Sequence, residues 1–313
     1  MTPYFTVVIP LYNKEKHIQS TIESVLVQTF ADFEIVVVND GSTDNSETVV
    51  KSIKDDRIKY YSQENKGVSS ARNYGIEKAK ANLIAFLDAD DYWYPNHLET
   101  LKTLYETYPN CGLYATAYEK FYYNHKLVKG KYHHLPLDFI GVIPDFFHHS
   151  IIDPIAWTSA VMIPKKVFET HGNFDTELKS GQDTDLWIRI ALKENVGFSS
   201  KFTSKRIFTD TDNHLSNSEK RIDRLKIIDR YKTEESYNKS FKKYIDLNRF
   251  SIAIERKMNG DLATFNKIRK AINQENLNIR QKLLLNTPAF FLRVLKKIQS
   301  ILIKNKIYLS AFR

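Results

Sequence analysis

The stretch "LIAFLDADDYW" (residues 83–93) decides how this chain is read. Five mostly apolar residues run straight into three acids within four positions. A buried strand rarely ends in so much negative charge unless that end holds something. Upstream, "FTVVIP" (5–10), "FEIVVVND" (33–40) and "RIKYYSQ" (57–63) are further short apolar runs rich in β-branched residues, each read as a strand. Between them lie segments of helical spacing. "EKHIQSTIESVLVQT" (15–29) repeats Ile18, Ile22, Val25 and Leu26, and "STDNSETVVKSI" opens on several N-cap residues. "GVSSARNYGIEKAKA" (67–81) and "PNHLETLKTLYETY" (95–108) complete a β-α-β-α-β-α-β-α order, with Pro95 suited to a first helical turn. Apolar strands alternating with amphipathic helices imply an α/β fold around a mostly parallel sheet.

In open parallel sheets, ligands bind beyond the carboxyl ends of the strands. Three such ends carry unusual polar residues: "PLYN" (10–13), "NDGSTD" (39–44) and "DADD" (88–91). In a parallel sheet all three fall on one edge. Neighbouring carboxylates repel, so one must be neutralised or a cation must bind. Hard divalent ions prefer oxygen ligands and accept one or two protein carboxylates, leaving room for phosphate oxygens. Asp88 and Asp90, with Asp91, suit that arrangement. The blander readings are a solvated acidic turn ahead of a helix and a glycine turn with N-cap residues. Asp40 need not be acidic for such a turn, which makes it the better candidate for a ligand contact. Neither the G-x-G-x-x-G of dinucleotide-binding folds nor a P-loop occurs.

Composition narrows the class. The 313 residues are 42% apolar and 27% charged, as expected of a folded protein with a sizeable core. One cysteine, Cys111, excludes an intramolecular disulfide and any cysteine-cluster metal site, and points to a reducing cytoplasm. No export signal is visible, and the apolar run near the end is broken by Arg293, Lys296 and Lys297. Charge is uneven: from residue 201 on there are 26 Lys and Arg against 11 Asp and Glu, and before it 20 against 26. A basic back half suggests an anionic partner. No nucleic-acid motif accompanies it, so nucleic acid is not expected.

Beyond residue 110 the pattern changes. "CGLYATAYEKFYYNHKLVKGKYHHLPLDF" reads as a hairpin or irregular insertion, "IDPIAWTSAVMIPKKVFET" as a strand then a helix, and "GQDTDLWIRIALKEN" as an amphipathic helix with a polar start. His133–His134 and His148–His149 are adjacent pairs without the i,i+4 spacing of a helical zinc site, and read as surface or acceptor-loop residues.

Taken in order and spacing, "VVIPLYNKEKHIQSTIESVLVQTF", "EIVVVNDGSTDNS", "NKGVSSARNYGIEKAKANLIAFLDADD" and "GQDTDLWIRIAL" resemble the family 2 glycosyltransferases of GT-A fold, over roughly residues 4 to 215. The resemblance implies an inverting enzyme taking a sugar from a nucleotide-diphosphate donor with Mn²⁺ or Mg²⁺. It implies that Pro10, Tyr12 and Asn13 line the nucleotide pocket, Asp40 meets the base, Asp88 the ribose, and Asp90 the metal. Arg72 would lie near the pyrophosphate or the preceding acids. In the family the catalytic base is an acid of an "ED" motif. Here Gln182 replaces the first acid, and Asp183 remains as the matching base, with Asp185 as rival. His214 lies where some relatives supply a later metal or phosphate contact. Trp157 is divided between core packing and sugar stacking, whereas Trp187 is expected in the core.

The expected organisation is a catalytic domain over residues 1–215 and a basic helical extension over 216–313. The catalytic part divides into a nucleotide-binding half (1–110) and an acceptor-binding half (111–215). "PAFFLRVLKKIQSILIKNKIYLSAFR" (288–313) alternates apolar clusters with Lys and Arg. It suits either an anionic membrane surface, in keeping with a glycan or lipid-linked acceptor of polysaccharide assembly, or packing within a helical bundle. The alternatives in function are a sugar-nucleotide nucleotidyltransferase and a non-catalytic nucleotide-sugar-binding protein. The former would want a Gly-rich loop after the first strand, and "PLYNKEKH" has no glycine.

Overall fold

The computed structural model of the chain describes residues 2–122, 126–208 and 223–304. The chain divides into two compact units. The first comprises Met1–Gly130, Leu135–Phe146 and Ile155–Asp212; the second comprises Lys131–His134, Phe147–Pro154 and Asn213–Arg313.

The first unit is built on one sheet. Strands β1 (Phe5–Leu11) and β2 (Phe33–Asp40) are buried at every position, as expected of strands covered on both faces. Each fully buried Val or Ile contributes about 2 kcal/mol relative to exposure. β3 (Ile58–Gln63), β2, β1 and β4 (Leu83–Phe86) lie side by side in that order, all parallel. β1 continues through Pro10 to Leu11, one residue further than the sequence suggests. The β4 ladder ends at Val8, so a residue without an N–H is tolerated beyond it.

Beyond β4 the sheet becomes mixed. β9 (Val161–Pro164) runs antiparallel to both β4 and β6 (Cys111–Tyr122). β10 (Asn195–Phe208) lies parallel to β6 with bulges near Ser199 and Phe202, and pairs antiparallel with β5 (Tyr92–Trp93). β6 and β7 (Leu127–Lys129) pair antiparallel, the hairpin of the two readings left open for this segment, and β8 (Ile140–Val142) pairs with β10. The parallel ladders carry most of the paired residues.

Helices fix the strand ends. α1 (Ile18–Leu26) buries Ile18, Ile22 and Val25 at helical spacing. α2 (Ser46–Ser52) follows β2. α3 (Val68–Lys78) crosses β1 closely because Gly75 has no side chain; a Cβ there would overlap Val8 Cγ1. α4 (His97–Thr107) begins after Asn96, so Pro95 stands just ahead of the helix rather than in its first turn. α5 (Phe146–His149) precedes β9 in the chain, and α6 (Lys165–His171) and α7 (Gln182–Ala191) follow it.

The second unit is helical. Its described helices are α8 (Asp223–Asp229), α9 (Lys232–Tyr237), α10 (Lys239–Met258), α11 (Leu262–Ala271), α12 (Ile279–Asn286) and α13 (Ala289–Lys304). Asp246 is fully buried in α10 and is held by Lys242 Nζ at 2.8 Å and Asn276 Nδ2 at 2.8 Å. Arg249 donates two bonds to Glu235, at 2.6 and 2.7 Å. Among the described residues no helix is long and apolar enough to cross a membrane.

Candidate active site

The loops leaving the parallel strands are lashed together by side-chain bonds to backbone. After β1, Asn13 has a left-handed backbone (φ 51°), and its Oδ1 accepts from Thr43 N at 2.8 Å while its own N–H donates to Ser42 Oγ at 3.0 Å. Lys14 N donates to Ser46 Oγ at 2.9 Å and Glu15 N to Asp44 Oδ2 at 3.1 Å. "PLYN" and "NDGSTD" therefore form one surface. Within it Tyr12 is 46% exposed, leaving an aromatic face open to a ligand.

Asp40, at the end of β2, is almost fully buried. Its Oδ1 accepts from Gln63 Nε2 (2.6 Å) and Lys66 N (2.9 Å), and its Oδ2 accepts from Gly67 N (2.8 Å). The carboxylate thus anchors the segment that opens α3, with three of its roughly four acceptor sites used. Gly41 sits beside it at φ 70°, where a Cβ would lie 2.8 Å from Asn65 N, so this turn depends on glycine.

The acids after β4 separate into two roles. Asp88 accepts from Arg72 Nη2 at 2.7 Å, and Asp90 Oδ2 accepts from Lys14 Nζ at 2.6 Å. Both carboxylates keep partial exposure, 29% and 14%. Asp91 does not join them. It is buried, with Oδ2 accepting from Ser159 Oγ at 2.6 Å and Oδ1 from Ile207 N at 3.1 Å. Burial first, then the charges of Asp90 and Asp88, push its carboxyl well above the ordinary carboxylate range. Ser159 Oγ also accepts from Asp88 N at 3.0 Å, so one hydroxyl fixes the whole turn.

Arg72 is buried rather than an exposed helix residue. Its Nη2 is spent on Asp88, its Nε and Nη1 have no partner among the described residues, and its guanidinium lies 5.2 Å from the Phe174 ring. Phe174 in turn packs edge-on against Trp187 of α7 at 6.0 Å. That chain of contacts ties α7 to the acid rim. Asp183 lies in the first turn of α7, half-buried, with Oδ1 accepting from Thr184 N at 2.7 Å. No cation pairs with it among the described residues. The rival Asp185 is buried and bound to Arg189 Nε at 2.9 Å, while Arg189 also donates to His171 O, Gly172 O and Asn173 O. Asp185 is therefore committed to holding the preceding loop. Trp157 is 6% exposed and packs on Tyr118 at 4.7 Å, which favours the packing role over sugar stacking; Trp187 is buried as expected. Pro10 is internal to the sheet, and His214 lies outside the described residues.

The donor set suits a hard dication. Asp88 and Asp90 offer oxygen atoms only, and the ammonium of Lys14 already sits on Asp90 as a positive charge would. Lys14 and Ser159 were not singled out by sequence. Their partners lie 76 and 71 positions away, and no local pattern marks such pairs. A cleft of about 560 Å³ opens beside α3 and α6; Gln63 and Lys66, which bond Asp40, stand in its wall with Ser70, Asn73, Tyr74 and Lys165, whereas Asp40, Asp88 and Asp90 do not line it.

A profile described as glycosyl transferase family 2 matches residues 6–169. An uncharacterised glycosyltransferase of Rickettsia typhi is 32% identical over 216 residues, covering 65% of this chain and 64% of that protein. One from Rickettsia bellii is 36% identical over 207 residues, covering 64% of this chain and 28% of that protein. The matched stretches thus span less than two thirds of these relatives. Among solved structures, Staphylococcus aureus TarS 1–349 in complex with UDP-GlcNAc superposes with a TM-score of 0.68 at 19% identity, covering 87% of this chain and 82% of that one. The α/β fold is thus of the GT-A type, and the chain belongs to glycosyl transferase family 2.

Proposed function

We propose that this protein transfers a sugar, with inversion, from a nucleotide-diphosphate donor to a hydroxyl of a glycan or lipid-linked acceptor in polysaccharide assembly. The observation that carries the reading is the convergence of the strand-end loops, with Asp88 and Asp90 partly open and each bearing a counter-cation. TarS, of the same fold, was solved with UDP and with UDP-GlcNAc, which supports a donor of this class.

Tyr12 and Asn13 line the nucleotide site, and Asp40 faces the base side of it while holding the start of α3. Asp88, fixed by Arg72 and by Ser159, meets the ribose. Asp90 holds Mn²⁺ or Mg²⁺. Such an ion, when bound, stabilises the negative charge that grows on the leaving diphosphate.

In the transfer itself Asp183 accepts the proton of the acceptor hydroxyl. The acceptor oxygen bonds to the anomeric carbon as the bond from that carbon to the phosphate oxygen breaks, and the electron pair leaves on the nucleoside diphosphate. Asp183 fits this role because it is half-buried and pairs with no cation among the described residues, its Oδ1 accepting only from Thr184, whereas Asp185 is locked to Arg189.

A membrane surface is the second part of the proposal. On α13, Phe290 (66% exposed), Phe291, Leu295, Ile298 and Ile301 form an open apolar arc flanked by Arg293, Lys296 and Lys297. The opposite side buries Leu292, and Arg293 Nε donates to Met258 O of α10. An apolar arc bordered by basic residues suits an anionic lipid surface, where each basic side chain contributes on the order of 1 kcal/mol.

The test of the catalytic half is Asp183→Asn, assayed with a panel of nucleotide sugars. Donor binding is expected to persist while transfer and donor hydrolysis fall by about 10³-fold, the usual weight of a general base. Full turnover by this variant removes Asp183 from the chemistry.

A further inference from the structure

Two short segments of the second unit, 131–134 and 147–154, lie alongside each other. Lys131 N donates to Asp153 Oδ2 at 2.9 Å, and Asp153 N donates to Lys131 O at 3.1 Å. Nearer the other end, His133 N donates to His149 O at 3.1 Å, and the His149 Nδ1 donates to His133 O at 2.5 Å. Phe147 anchors the second segment on α10, 4.6 Å from Phe241 and 5.5 Å from Tyr244 between ring centres.

This frame gathers imidazoles. Adjacent side chains on extended backbone point to opposite faces. His134 has φ 55°, the left-handed region that a non-glycine residue seldom adopts, and its ring consequently stacks beside that of His133 at 3.8 Å. The His148 ring lies 4.7 Å from His133 and 5.2 Å from His134. One ring nitrogen from each of the three falls within 4.8 Å of the other two, and His134 Nδ1 is 3.2 Å from His148 Nε2. Two nitrogens on a tetrahedral zinc ion, each at about 2.05 Å, stand roughly 3.3 Å apart. The observed pair, joined by a hydrogen bond between the two ring nitrogens, is already at that spacing, and an ion would take the place of the shared proton.

We propose that His133, His134 and His148 bind a divalent transition-metal cation of the zinc class. Three neutral imidazoles supply a borderline nitrogen donor set, chemically unlike the hard oxygen set of Asp88 and Asp90. Once one of the stacked His133 and His134 rings, whose planes are 26° apart, turns toward the ion, the three occupy corners of a tetrahedron and leave the fourth for water or an anion. The ion fastens segment 131–134 to segment 147–149. The left-handed backbone at His134 has a purpose on this reading: it turns the second ring toward the site.

The test uses full-length, tag-free protein stripped by a chelator. Zn²⁺ is titrated against a chromophoric competitor, and Co²⁺ is added separately for its visible spectrum. The wild type is expected to bind one equivalent of Zn²⁺ and to give the intense bands of tetrahedral Co²⁺. His148→Ala and His134→Ala are expected to bind more than about 100-fold more weakly, since even outer-shell partners cost 10- to 100-fold. His134 is exposed, so its removal leaves no cavity, and circular dichroism checks that each variant folds. Asp90→Ala is expected to keep the zinc, which separates this site from the donor site. Wild-type affinity no greater than that of the histidine variants, or loss of zinc in Asp90→Ala alone, overturns the proposal.

Discussion

Lys14 Nζ lies 2.6 Å from Asp90 Oδ2, joining the loop after the first strand to the acids after the fourth. The lysine holds the carboxylate in place. On the proposed reading a dication at Asp90 competes with this ammonium for the carboxylate.

Replacing that lysine separates the two effects. Lys14→Met should lower stability by only about 1 kcal/mol, because the pair is partly solvated. It should also raise the apparent affinity for Mn²⁺ several-fold, because the competing ammonium is gone. Mn²⁺ titration by calorimetry checks this; equal or weaker binding in the variant means that Lys14 and the ion do not share Asp90.

The turn after β2 should be intolerant of a side chain. Gly41→Ala meets both a left-handed backbone and Asn65 N, 2.8 Å from the new Cβ. A loss of about 2 kcal/mol is expected in urea unfolding, within the usual cost of such strain. Donor binding should weaken too, since Asp40 and the start of α3 depend on the turn. Unchanged stability and binding would show that the loop adapts freely.

Acid should destabilise the first unit through His97. This residue is fully buried, stacked on Trp93 at 4.1 Å, with Nδ1 2.7 Å from Thr203 Oγ1. Burial lowers its pKa from the ordinary 6.5 to about 3. The folded state binds this proton less readily than the unfolded state, so the contribution is complete above pH 6.5 and is lost as pH falls toward 3. From pH 7 to pH 4.5 the cost is about 3 kcal/mol, at about 1.4 kcal/mol per pH unit below 6.5. His97→Phe should flatten the pH dependence of unfolding over that window; an equally steep curve in the variant points to other groups.

Removing residues 288–313 should release the protein from vesicles containing anionic lipid, with binding to neutral vesicles weak in both forms. Addition of salt should have the same effect on the intact chain, because Arg293, Lys296 and Lys297 are exposed. Undiminished co-sedimentation of the truncated chain argues against α13 as the lipid contact.

Much of this was legible in the residues. β1, β2 and β4 announce themselves because uninterrupted apolar runs end abruptly in Asn13, Asp40 and Asp88, and a parallel sheet collects such ends on one edge. The division of labour among neighbouring acids was not legible. "DADD" offers three carboxylates of equal standing, and only the fold shows that Ser159 and the Ile207 amide take Asp91 into the interior. β10 was not foreseen, since bulges at Ser199 and Phe202 break the alternation that marks a strand. The histidine cluster escaped for a different reason. His134 and His148 are 14 positions apart in a segment without periodicity, and a left-handed residue brings the rings together.

The most direct measurement is calorimetric titration of UDP and a panel of nucleotide sugars, with and without Mn²⁺, into wild-type protein and Asp90→Asn. The account predicts that Mn²⁺ tightens donor binding to the wild type by about 10-fold or more, an ordinary coupling between two ligands, and that Asp90→Asn abolishes the increment. Equal donor affinity with and without Mn²⁺ in the wild type, or an increment that survives in Asp90→Asn, would contradict it.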